Sequence, residues 1–233
     1  MTTVILLRHG RTTANAAGVL AGWTPGVRLD DGGTAQVQAV AARLAQVPLA
    51  AVVSSPLERC QQTAGAIAEG RALDLQTDDR LGECRYGDWT GRPIKELVKE
   101  PMWKVVQQHP SAAVFPGDEG EGLAQTQARA VSAVREWNAK LGPDAVWLAC
   151  SHGDVIKAVL ADALGVHLDQ FQRIVVDPAS LSVVTYTDTR PFVARVNDTG
   201  GDVSALVPPK KKRRGRRSAS SDAVVGGGAG APA

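Results

Sequence analysis

The chain has 233 residues, 44% of them hydrophobic and 21% charged, enough to bury one core and ordinary for a soluble globular domain. Cys60, Cys84 and Cys150 are odd in number, widely spaced and without a CxxC pair, which excludes a disulfide framework or a zinc ribbon and fits a reducing, cytoplasmic compartment. The net charge of +2 conceals an asymmetry: seven of the 26 basic residues lie in the run 210–217 and Asp222 is the only acid after residue 208, so the tail carries +6 and the rest of the chain −4.

The opening Val4-Ile5-Leu6-Leu7 is an unbroken apolar run, typical of a strand buried on both faces. Nothing basic precedes it and Arg8 ends it, so it reads as a strand and not a signal peptide. A helix is expected at about 33–46, a second buried strand at Ala50–Val53, and a helix at about 57–69. A long helix at about 122–141 precedes a third buried strand, Ala145–Cys150. The next helix, about 154–164, places Val155, Ile156, Val159, Leu160 and Leu164 on one face. Leu181–Tyr186 and Phe192–Val196 flank a turn and suggest a hairpin at a sheet edge. Buried strands alternating with helices imply an α/β fold, with helices on both faces of a mainly parallel sheet and an antiparallel edge strand. Residues 1–207 are expected to form one domain. Residues 208–233, basic and then Gly/Ala-rich, have little to bury and are expected to be a disordered tail. No stretch approaches the roughly 18 apolar residues of a membrane span.

In open α/β sheets, ligands sit at the carboxyl ends of the strands. Here the first strand ends in Arg8-His9-Gly10. The second ends in Ser54-Ser55-Pro56 and leads into a helix carrying Arg59. The third ends in Ser151-His152-Gly153-Asp154. Two of the chain's four histidines and two arginines therefore converge on one rim. Arginine suits a phosphoryl dianion because its fork donates two parallel hydrogen bonds and never loses its charge. Two guanidinium groups also disfavour a protonated imidazole, which keeps His9 neutral and nucleophilic. His152 can donate to phosphoryl oxygens, and Glu83 is the candidate acid for the leaving oxygen. With arginines neutralising the charge, no metal and no cofactor are needed.

Several spaced motifs occur in one order over residues 4–197. They are Leu7-Arg8-His9-Gly10-Arg11-Thr12, Asn15, Gly22-Trp23, Leu29 with Gly33 and Gln36, and Ser54-Ser55-Pro56-Leu57-Glu58-Arg59. Leu81-x-Glu83, Gly87-x-Trp89-x-Gly91 and Ser151-His152-Gly153 follow. The chain resembles the histidine phosphatase superfamily, in its phosphoglycerate-mutase-like branch, whose fold is a three-layer α/β/α sandwich. The resemblance implies that His9 becomes phosphorylated, that Arg8, Arg59 and His152 complete the phosphate pocket, and that Glu83 gives the proton. It also puts Asn15 at the pocket edge and makes Thr12, Gly22 and Trp23 candidate substrate contacts, with no metal. The chain departs from the family pattern at Leu29-Asp30, usually Leu-Thr, and at Pro116-Gly117-Asp118-Glu119-Gly120, usually Pro-Gly-Gly-Glu-Ser.

Phosphatase is favoured over phosphomutase. The interval from Glu83 to His152 is short, and it lacks the adjacent arginines with which the family's mutases grip a substrate carboxylate. The expected partner is a small phosphorylated metabolite, and a homodimer is compatible with the sequence. Trp23, Tyr86, Trp89 and Trp103 either rim the site or pack in the core, packing being the commoner fate. The three cysteines read as buried filler. Without interleaved aromatics, the basic tail supports at most weak, non-specific contact with nucleic acid or another anionic surface. A phospho-ligand binder without turnover, or a nucleic-acid binder acting through the tail, is the non-enzyme alternative.

Overall fold

A computed structural model of the chain describes residues 1–201 and 225–226. In chain order its elements begin β1 (Thr2–Arg8), α1 (Thr13–Ala17), α2 (Asp31–Leu44), β2 (Val52–Ser54), α3 (Glu58–Ala68) and β3 (Leu75–Thr77). They continue with α4 (Ile94–Leu97), α5 (Pro101–Gln108), α6 (Leu123–Leu141), β4 (Val146–Ser151), α7 (Gly153–Leu164), β5 (Leu181–Tyr186) and β6 (Pro191–Asp198). The sheet order is β3-β2-β4-β1-β5-β6. β3, β2, β4 and β1 run parallel, β5 runs against β1, and β6 closes the edge as the second arm of a hairpin.

The apolar runs become central strands because both faces are covered. Val4 and Leu6 of β1, with Trp147 and Ala149 of β4, pack on α6 and α7. Ile5 and Leu7, with Leu148 and Cys150, pack on α2 and α3. A third apolar cluster lies beyond the sheet rim, where Cys84, Tyr86, Trp89, Leu97, Trp103, Val106 and Phe115 join Phe171 of the segment after α7.

Asp30, one of the departures from the family pattern, is the N-cap of α2: its carboxylate accepts from the Gly33 N–H at 2.7 Å. α6 begins after Gly122, whose N–H is accepted by the Gln125 side chain at 2.8 Å.

Gly33 lets α2 press against the chain just after His9, and a Cβ there would strike the backbone carbonyl of Arg11. Gly33→Ala is therefore expected to cost about 1–3 kcal/mol through forced displacement, and so to lower the melting temperature by about 2–10 °C. An unchanged thermal unfolding curve would contradict this close approach.

The strand Leu75–Thr77 and the helices Ile94–Leu97 and Pro101–Gln108 extend the expected set of elements, and the second hairpin arm is longer than expected. Of the expected tail 208–233, only Val225 and Gly226 are described. Both lie against the body of the protein, with Val225 only 1% exposed among the apolar residues of the third cluster. The basic run 210–217 lies outside the described residues.

Candidate active site

The parallel register of β1 and β4 sets Arg8 opposite Ser151, and the His9 N–H donates to the Ser151 carbonyl at 3.0 Å. This brings the residues after two neighbouring strands side by side. The rings of His9 and His152 meet edge to face, with centroids 5.2 Å apart. β2 ends on the same rim and leads to α3, whose first turn supplies Arg59. Arg8, His9, Arg59, Glu83 and His152 are all buried.

His9 Nδ1 lies 2.8 Å from the Gly10 carbonyl. A carbonyl only accepts, so Nδ1 carries the proton and Nε2 keeps its lone pair. Burial, reinforced by the charges of Arg59 and Arg8, holds the His9 pKa well below the ordinary histidine value, so the ring is neutral near pH 7. His152 is likewise shifted well down, first by burial and then by Arg59. Its Nε2 is 2.8 Å from Ser55 Oγ, and its Nδ1 is 3.2 Å from Arg59 Nη2 and 3.8 Å from Glu83 Oε2. Arg59 Nη2 also donates to the Gly22 carbonyl at 2.8 Å, whereas the buried Nη1 has no protein partner among the described residues. A buried, permanently charged donor left without a protein acceptor suits an anionic ligand.

The Glu83 carboxyl group accepts from the Cys84 N–H at 3.0 Å. Burial, then the nearby Asp154 charge, raises its pKa to about 7 despite Arg59 and Arg8. Its main chain is held from both sides: the Glu83 carbonyl accepts from Trp23 Nε1 at 2.6 Å and from Arg129 Nη2 at 3.0 Å. Arg129 Nη1 also binds the carbonyls of Arg80 and Gly82.

A cavity of about 420 Å³ is lined by His9, Arg59 and Glu83, together with Thr12, Asn15 and Gly22. Thr12 caps α1 and is locked to Asn15 by reciprocal side-chain hydrogen bonds. Trp23 does not line this cavity. Its indole faces a neighbouring cleft with Arg85 stacked 4.1 Å above it, because its N–H is committed to the Glu83 carbonyl. Among the other candidate rim aromatics, Tyr86 lines the cavity, while Trp89 and Trp103 stack on each other in the buried third cluster.

Three contributors were not legible as site residues in the sequence. Ser55 sets the His152 ring, Arg129 anchors the Glu83 loop, and Asp154 is a fully buried carboxylate bonded to the Tyr86 hydroxyl at 2.9 Å. Ser55 and Asp154 stand beside strand-end residues already singled out, and that position was the available signal. The three cysteines are buried and free, and burial pushes the thiols of Cys84 and Cys150 well up. Among the described residues, no group of three or more His, Cys, Asp or Glu is placed to hold a metal ion, and no helix is long and apolar enough to cross a membrane.

The sequence pattern of the histidine phosphatase superfamily (branch 1) matches residues 4–199. A protein of Yersinia pestis named "Probable phosphoglycerate mutase GpmB" is 32% identical over 211 residues, covering 88% of this chain and 95% of its own. The structure of Bacillus stearothermophilus YhfR superimposes with a TM-score of 0.78 at 27% identity, covering 85% of this chain and 98% of that one. A mycobacterial glucosyl-3-phosphoglycerate phosphatase superimposes with a TM-score of 0.75 at 25% identity, over 84% and 98%.

Proposed function

The chain belongs to the histidine phosphatase superfamily, and from that premise we propose that it is a metal-independent phosphomonoesterase acting on a small phosphorylated metabolite through a phosphohistidine at His9. One observation carries the proposal. A buried imidazole, with its proton fixed on Nδ1, shares a 420 Å³ cavity with Arg59 and with a carboxyl group whose pKa is about 7.

In the first step His9 Nε2 attacks phosphorus, and the bond to the leaving oxygen breaks as Glu83 gives that oxygen its proton. In the second step the Glu83 carboxylate takes a proton from water, whose oxygen attacks the phosphohistidine and frees inorganic phosphate. This restores neutral His9 and protonated Glu83. Arg8 and Arg59 neutralise the phosphoryl oxygens. His152 supports them from behind: its Nδ1 accepts from Arg59 Nη2 and its Nε2–H donates to Ser55 Oγ, which fixes the guanidinium beside His9. Thr12, Asn15 and Gly22 contact the rest of the substrate from the cavity wall. Residues 1–207 act as one domain, and the proposed location is the cytoplasm.

A relative at 32% identity that is named a probable phosphoglycerate mutase keeps phosphoryl return to a second substrate oxygen as the alternative outcome. A panel of phosphorylated metabolites, assayed with added chelator for both phosphate release and 2-/3-phosphoglycerate interconversion, tests both. Phosphate release without interconversion is expected. Interconversion that outpaces release would assign the mutase, and no turnover of any phosphomonoester would overturn the proposal.

Arg59 supplies both a bond to His152 and an uncommitted donor, which an ammonium group cannot reproduce together. Arg59→Lys is therefore expected to lower kcat/KM about 100-fold. A loss under threefold in steady-state kinetics would show that the guanidinium is not a phosphate ligand.

A further inference from the structure

Val225 and Gly226 stand far in sequence from every element of the site, yet both line the cavity that holds His9, Arg59 and Glu83. Their contacts are specific. The Gly226 N–H donates to Asp154 Oδ2 at 2.8 Å, the same oxygen that accepts from the Tyr86 hydroxyl. The Gly226 carbonyl accepts from Arg8 Nη2 at 3.2 Å, while Arg8 Nη1 is held by the Val176 carbonyl. One peptide unit pair thus serves a fully buried carboxylate and a fully buried guanidinium, groups whose desolvation would be costly without partners. Val225 packs into the apolar cluster with Leu20 and Tyr86. Gly226 sits at φ +77°, and a Cβ there would come within 2.9 Å of Leu20 Cδ1 and 3.4 Å of the Tyr86 hydroxyl. The position therefore accepts glycine and resists other residues.

These two residues border the cavity without filling it, since the space beside His9 remains about 420 Å³ with them in place. We infer that Val225 and Gly226 form a substrate-selecting wall of the active site, which limits the group esterified to the phosphate to a small one. The inference rests on the proposed phosphatase chemistry. Leu20 and Ile94 line the same cavity, so the group esterified to a phosphate held at His9 and Arg59 shares that space with Val225 and Gly226. A short polar alkyl group takes up less of that volume than a fused aromatic group does, so the wall bears on the larger one. Gly226 also fixes the Arg8 guanidinium, so the wall and the phosphate pocket share a hydrogen bond.

The test uses two full-length variants. Val225→Ala removes two methyl groups from the apolar side of the wall. Gly226→Val displaces it by meeting Leu20 in a backbone conformation that valine resists. For each, kcat/KM is measured with 2-phosphoglycerate and with 1-naphthyl phosphate. The ratio of small to bulky substrate is expected to fall about tenfold for Val225→Ala and about thirtyfold for Gly226→Val, the scale on which a methylene or two in a pocket discriminates. A ratio within twofold of wild type in both variants overturns the inference. So does an equal rise for both substrates, which would mark a plug and not a wall. His9→Ala run in parallel separates the two proposals: turnover that survives it removes the phosphohistidine chemistry itself. Turnover that requires His9 but shows no change of ratio removes only the wall.

Discussion

Replacing His9 by alanine is expected to lower kcat by about five orders of magnitude, or about 7 kcal/mol of transition-state stabilisation. The size follows from the ring's setting. Its Nδ1 proton is tied to the Gly10 carbonyl, burial and two arginines keep it neutral, and Nε2 is the nitrogen left to attack. Among the described residues no other buried imidazole nitrogen is equivalently placed, because His152 is engaged by Ser55 at one nitrogen and Arg59 at the other. Rapid quenching with radiolabelled substrate should trap an acid-labile phosphoenzyme in the wild type and none in His9→Ala. If the variant turns over as the wild type does, phosphate leaves by a route that bypasses the histidine.

Glu83→Gln is expected to slow the turnover of alkyl phosphomonoesters by about 10²–10⁴-fold, the range for removing a positioned general acid. A pH signature comes with it. The Glu83 pKa is raised to about 7 by burial and by Asp154, so the protonated, donating form persists to neutrality. As pH rises through 7 this form is lost, and the rate of phosphohistidine formation must fall. The glutamine variant cannot titrate, so its profile should lack that alkaline limb. p-Nitrophenyl phosphate, whose leaving group departs without a proton, should show a much smaller loss. An unchanged alkaline limb in Glu83→Gln, or equal losses on both substrates, would assign the proton to another group. On the acid side, the lowered His9 pKa means that the nucleophile stays neutral below the pH at which an ordinary histidine becomes charged.

Arg8, His9 and His152 were legible because they stand at the ends of unmistakable strands, whereas Glu83 follows no strand and was legible through the family pattern. Runs such as Val4–Leu7 and Trp147–Cys150 are apolar without alternation, which in this setting means burial on both faces. The strand Leu75–Thr77 was not legible. Its three residues are half-buried or exposed at a sheet edge, and Leu-Gln-Thr shows no strand pattern. The stretch from Cys84 to Phe115 was equally opaque, since its apolar residues fill a cluster built from short helical turns with neither period. Trp23 was legible as important but not for the right reason: its indole N–H holds the Glu83 main chain. Ser55, Arg129 and Asp154 act through other residues, so residue type and spacing give them no signature. Val225 borders a glycine-rich stretch, and composition speaks only of averages.

The position of β1 in the sheet also sets an order of events during synthesis. This strand, which leads directly into His9, is made before the other five, yet its two neighbours are β4 and β5, so Thr3 waits for Val146 and Leu7 for Leu181. Until the ribosome has passed residue 186, the strand has no completed place in the sheet, and closing so long a loop is among the slower events of folding. β2 and β3, by contrast, are separated by a single helix and can pair early. The phosphate pocket is thus assembled when the two ends of the domain meet, and a nascent chain carries its nucleophile long before it can use it.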